Sequence, residues 1–248
     1  MKPGPVQWVT LSTTHRATHR AQADVILDAD GQIHGTIQST DEEYSALKRR
    51  HEIRDTKPLE VARTLFDAAT TGLAIDSASV AGNDSTSQPV RITARLAASP
   101  YAQAAEDFLY VIPDVVGRTT SNPFKRETRA FPVDMAYPYS NFAVSVFHIP
   151  DGFEVKDLPA ATAAVVGASD AFFSRVISQD GNVITTVTKE IVNKSQFPPA
   201  MYESLKGFYD KIVKSNGDLI VLKRKPGPAQ EESPKKKATA SHPNRTKK

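Results

Sequence analysis

Twice in this chain an Asp-Gly pair sits between long stretches of alternating apolar and polar residues. The first is "QADVILDADGQIHGTIQST", with Asp30-Gly31 at its centre, and the second is "AFFSRVISQDGNVITTVTKEIV", with Asp180-Gly181. Both turn residues tolerate positive φ, which a tight hairpin connection demands. Alternation with a period of two puts every second side chain on one face of a sheet. Two long antiparallel hairpins are therefore expected, and they commit the chain to a fold built mainly from sheets.

One strong helical pattern stands near the C-terminus. In "PPAMYESLKGFYDKIVKSNGD", Met201, Leu205, Phe208, Tyr209 and Ile212 fall on one face at helical spacing. Pro198 and Pro199 suit a first turn, whose amides lack intrahelical partners, and Gly217 is placed to end the helix. The spacing predicts an amphipathic helix docked on a sheet, followed by a last strand in "DLIVLKR". Two shorter helices are expected at about residues 41–53 and 57–70. The segments "PVRITARLAA", "DFLYVIP", "FAVSVFHIP", "FEVKDLP" and "TAAVVG" read as strands, several of them stopped by proline. The sum is about ten strands and three helices. Helices do not alternate with strands, so the expected class is mainly β, a β-rich α+β fold of antiparallel, sandwich-like sheets.

Of the 248 residues, 40% are hydrophobic and 24% are charged, as in ordinary folded domains. No window approaches the apolar run of a membrane-spanning helix, and "MKPGPVQWVTL" carries no apolar signal-peptide core. The net charge of +3 is unevenly spread. Residues 225–248 hold seven Lys/Arg against two Glu, leaving 24 Lys/Arg against 26 Asp/Glu for the rest. The body has no basic excess, so no nucleic-acid partner is expected. The tail, with almost no apolar residues, is expected to be disordered.

Motifs for chemistry are scarce. Absent cysteines exclude disulfides and thiolate sites. The sequence has no phosphate-cradling "GxxxxGK[ST]", no "GxSxG" elbow and no "HExxH". His15 and His19 are four apart, but "STTHRATHRAQ" reads extended and offers no third ligand, so no metal site is expected. The acidic pairs Asp28/Asp30 and Glu42/Glu43 are explained by a turn and a helix start, and Glu106/Asp107 has no such explanation. No cofactor and no catalytic residue are assigned.

The segment "NPFKRETRAFPVDMAYPY", residues 122–139, fits neither strand nor helix. With "VSVFHIPDGFEVKDLP", the "DGN" hairpin, "FPPAMYESLKGFYDKIV" and "DLIVLKR", it resembles the C-terminal region of bacterial transglutaminase-like proteins of Bacteroidetes type. "VILDADGQIHGTI", "EEYSALKRR" and "EDFLYVIPDV" are similar to further segments of that region, and the resemblance spans about residues 6–224. In that family the catalytic Cys, His and Asp lie in a papain-like core upstream of the matched segments. The resemblance therefore implies a β-rich domain of unknown function with no catalytic residue to carry over. It implies a module that packs against a transglutaminase-like core, in cis or in trans, and an exported family, although this sequence leaves the compartment open.

On this reading, residues 1–56 are an N-terminal hairpin and helix from the junction after the core. Residues 57–224 are the β-rich domain, and residues 225–248 the basic tail. The segment 122–139 is read as a seam between two β layers. Phe124, Phe131 and Tyr137 are expected to fill it and Arg129 to pair with Asp134. With Tyr139, these are the candidate interface residues. The alternative is an envelope module that binds glycan or peptide on an aromatic patch around Tyr101, Tyr137 and Tyr139.

Overall fold

The computed structural model describes residues 15–67 and 72–226; the expected basic tail lies outside the described residues from 227 onward. The first hairpin is β1 (Ala17–Leu27) and β2 (Gln32–Glu43), followed by α1 (Tyr44–Ile53) and α2 (Pro58–Asp67). Next come β3 (Ile75–Ala81), β4 (Val90–Pro100), β5 (Gln103–Ala105) and β6 (Phe108–Val111). An irregular stretch leads to β7 (Val133–Asp134) and β8 (Tyr139–His148). Then follow β9 (Phe153–Asp157), β10 (Thr162–Val166), and the second hairpin of β11 (Ala171–Asp180) and β12 (Val183–Val192). The chain closes with β13 (Gln196–Phe197), a 3-10 turn at Pro199–Met201, α3 (Tyr202–Ser215) and β14 (Ile220–Arg224).

The fold is mainly β with three α-helices, as the sequence predicts, and both Asp-Gly hairpins form in the expected registers. The first strand pair occupies the middle of an eight-stranded sheet of order β10-β11-β12-β8-β1-β2-β4-β3. Every pairing in it is antiparallel except β1 with β8, which is parallel. A four-stranded sheet, β5-β6-β14-β9, and a small ribbon, β13-β7, complete the β structure. The strands missed in the sequence are β3, whose "IDSASVA" is small and polar, and β5, β7 and β13, each of two or three residues. α1 starts three residues later than expected, because Asp41 is still paired in the ladder with His19.

Two buried clusters lie on one face of the large sheet. In the first, inward residues of β1, β2 and β4, such as Val25, Ile37 and Ile92, meet Val61 and Phe66 of α2 and Leu109 and Leu222 of the four-stranded sheet. In the second, α3 covers the β10–β12 end, with Leu205, Phe208, Tyr209 and Ile212 buried against Ala164, Phe173 and Val192. Each large apolar side chain buried this way contributes roughly 1.5–3 kcal/mol before chain entropy is subtracted. At the C-terminal end of α3 lies a fully buried charge. The Arg175 guanidinium on β11 pairs with Asp114 at 2.9 Å, lies 3.6 Å from Asp218, and donates to the Ser215 carbonyl. Asp114 also accepts from the Thr188 hydroxyl at 2.9 Å. A cation is well placed there, since the last carbonyls of a helix carry partial negative charge.

Candidate functional site

The segment 122–139 runs from the four-stranded sheet at β6 to the large sheet at β8 and is clamped to α3 on the way. The Asn122 amide donates to the Lys206 carbonyl at 2.9 Å and to Asp210 at 2.7 Å, and the Tyr202 hydroxyl donates to the Arg126 carbonyl at 2.9 Å. Phe124 is buried edge-on to Tyr202 and Tyr209. Phe131 does not fill the junction: it is 78% exposed, and Val133, two residues on, takes the buried place. Arg129 is exposed, and no Arg129–Asp134 ion pair occurs among the described residues. Instead the Asp134 carboxylate accepts from the Ala136 amide at 2.7 Å, holding a turn in which Ala136 has φ 62°.

Tyr137 stacks on Tyr44 of α1, with ring centroids 5.0 Å apart and planes within 7°. Tyr139 begins β8 and turns its hydroxyl into the core. Tyr101 does not join them. It packs against Phe147, eight residues along β8 from Tyr139, or roughly 26 Å at the rise of a strand. Its hydroxyl donates to the Ile112 carbonyl at 2.9 Å, and burial pushes its pKa up.

Beside Tyr139 the inner face of the sheet carries a polar row. Glu190, Asn141, His19 and Asp41 lie directly opposite one another across β12, β8, β1 and β2. Asp41 is nearly fully buried. Burial alone would raise its carboxyl, but His19 and Arg49 together hold it below the usual carboxylate range. The ionised carboxylate therefore fixes the imidazole: His19 Nδ1–H donates to it at 2.7 Å, and Arg49 Nε–H at 2.9 Å. Arg49 also pairs with Glu52 at 2.6 Å. At the other end of the row, burial pushes Glu190 up more than its hydrogen bonds from Tyr139, Tyr209 and Asn141 pull it down. The Tyr139 hydroxyl donates to Glu190 at 2.5 Å and contacts the Tyr209 hydroxyl. Burial, then the Glu190 carboxylate, raise both phenols. A cavity of about 290 Å³ opens over the middle of the row, between it and α1. Among the described residues no cluster of three metal-capable side chains occurs; His15 meets Glu43 and His19 meets Asp41.

The opposite face of the sheet has no layer over it among the described residues. There the other phase of the alternation comes out, and at the β10–β8 end it carries two apolar rows with Ser174, Lys189 and Phe142 between them. Val165 opposes Phe172, which opposes Ile191; Val176 opposes Val187, which opposes Val144. Val165 is 55% exposed and Val176 50% exposed, and the other four are half-buried. Toward β1 and β2 the face turns polar around a shallow hollow of about 660 Å³, where His148 and Asp24 pair at 2.9 Å. The signal for these rows stands in the second hairpin, which carries Phe172, Val176, Val187 and Ile191 in its outward phase beside Phe173, Ile184 and Val192 in its inward one. Glu190 was legible only as a carboxylate in phase with Ile184 and Val192.

Residues 107–222 match the model of a family described as a domain of unknown function with a solved structure (DUF3858). The match runs from β6 to β14 and leaves out β1 to β5, α1 and α2. No curated protein matches the chain. Among solved structures, the chain is similar to the crystal structure of a candidate protease from Parabacteroides distasonis. The two share 14% identity with a TM-score of 0.40, over 49% of this chain and 24% of that one, so this chain spans a minor part of that protein's length.

Proposed function

We propose that this protein is a non-catalytic interaction module that packs against a transglutaminase-like core, in cis or in trans, through the outer face of its eight-stranded sheet. The observation that carries this reading is the apolar belt of Val165, Phe172, Ile191, Val176, Val187 and Val144. Exposed apolar surface of this kind, here two rows separated by Ser174, Lys189 and Phe142, marks interaction sites. Covering Val165 and Val176, each about half exposed, would gain roughly 1 kcal/mol apiece. Association costs at least about 4 kcal/mol of lost freedom, so the whole belt must be covered, not its two most exposed members. Beside it Gln22, Asp24, Gln38 and His148 supply the polar rim such interfaces have. The choice of partner rests on the resemblance to the region that follows a papain-like core.

The test is a binding titration between this chain and a separately produced transglutaminase-like core of the resembled family. Saturable binding is expected, weakened at least about tenfold by Val176→Lys and untouched by Phe131→Ser on the other side of the sheet. Absence of binding, or binding indifferent to Val176→Lys, would reject the reading.

A further inference from the structure

We propose that the cavity over the polar row is a subsite for one uncharged sugar ring. It lies on the inner face of the sheet, away from the apolar belt, and stands independently of the docking function.

Four buried or half-buried polar side chains in one row are an expensive way to build a sheet interior, since apolar residues of similar volume would pack there at no desolvation cost. The ends of the row are internally satisfied, Asp41 by His19 and Arg49, Glu190 by two tyrosines. The middle is where the cavity opens. With Nδ1 engaged by Asp41, Nε2 is the ring nitrogen left for a ligand, an acceptor in the neutral imidazole and a donor in the protonated one. Asn141 spends one donor on Glu190 and keeps its carbonyl and a second N–H. Ser45, on the first turn of α1, adds a hydroxyl to the same wall.

This lining mixes donors and acceptors and so discriminates among ligand classes. An anion needs donors, yet Arg49 is already neutralised by Asp41 and Glu52, and Lys48 lies 3.8 Å from Glu52. An apolar ligand would strip water from the row and return no hydrogen bond. Hydroxyls that both donate and accept satisfy all three groups. Tyr137 supplies the remaining requirement of sugar recognition, a flat ring against which the C–H face of a pyranose can lie. Tyr137 and Tyr139 both line the cavity, and Tyr44, stacked on Tyr137, holds that ring in place. A volume of about 290 Å³ is at the small end for ligand pockets and suits a single ring.

The experiment is saturation-transfer NMR on the full chain with methyl glycosides of glucose, galactose, mannose and N-acetylglucosamine, with succinate as the anionic comparison. At least one glycoside is expected to bind in the millimolar range. Tyr137→Leu, which keeps bulk and removes the aromatic plane, should weaken it by about tenfold. Ser45→Ala, a small change on a helix that keeps its fold, should weaken it as well and serves if Tyr137→Leu destabilises the protein. No transfer from any glycoside at tens of millimolar would overturn the proposal. So would binding unchanged in both variants, or succinate binding in place of the sugars.

Discussion

Arg175→Met tests the buried charge directly. The guanidinium is 0% exposed, and its removal leaves Asp114 buried with the Thr188 hydroxyl as donor and Arg118 as the remaining cation acting on it. Breaking a buried pair from one side costs about 3–5 kcal/mol, because the surviving charge has no solvent to turn to. The Ser215 carbonyl at the end of α3 loses its donor too. Against a total stability of about 5–15 kcal/mol, this is a large fraction. The double variant Arg175→Met/Asp114→Leu removes both charges and should recover most of the loss, with a coupling of about 2 kcal/mol or more. Urea unfolding followed by far-UV circular dichroism measures all three. The pH dependence supplies a second reading. Burial already pushes Asp114 above its ordinary 3.8 with Arg175 present, so the folded state holds that proton more tightly than the unfolded chain. Stability linked to Asp114 is then full below 3.8 and falls as pH rises through the folded value. Without Arg175 the folded value rises further, the fall extends to higher pH, and the deficit of the single variant should shrink on acidification toward pH 4. A single-variant cost below about 1 kcal/mol, or a double variant as unstable as the two singles summed, would refute the reasoning.

Glu190→Gln should flatten a pH slope: the native carboxyl is raised above 4.5, so wild-type stability declines as pH rises above that value, whereas the amide does not titrate. Urea midpoints that move in parallel for both proteins between pH 4.5 and 7 would contradict the raised value. Gly35→Ala should cost on the order of 2–3 kcal/mol, because Gly35 has φ 152° and a Cβ there would lie 2.2 Å from the Asp24 carbonyl oxygen. An unchanged thermal midpoint would show that the pairing of β1 and β2 differs from that described. Phe131→Ser should leave the same midpoint within about 0.5 kcal/mol of wild type, given its exposure.

What the sequence could tell depended on range. The hairpins and α3 were legible because alternation, Asp-Gly turns and an apolar stripe are local signals read within some twenty residues. Phe131 and Phe124 looked alike in sequence, and only the packing of Phe124 between Tyr202 and Tyr209 separates the buried one from the exposed one. The polar row was illegible for another reason. Glu190, Asn141, His19 and Asp41 come from four strands, and each alone has an ordinary explanation; register across the sheet makes them a set. The parallel pairing of β1 with β8 had no local signal at all.

That parallel pairing also sets a timetable. Ala17 pairs with Tyr139, 122 positions later, so the central seam of the large sheet closes only after more than half of the chain exists. At about 5–20 residues per second of synthesis, β1 waits roughly 6–25 s with one hydrogen-bonding edge bare. Such long-range closure slows folding, and a bare edge invites pairing with another nascent chain. Arg20 and Asp24, which β1 carries on its outer face, place charge along that waiting edge. Any fragment that ends before Tyr139 keeps the edge open permanently, which makes the integrity of β8 a condition for the solubility of a hairpin formed about a hundred residues earlier.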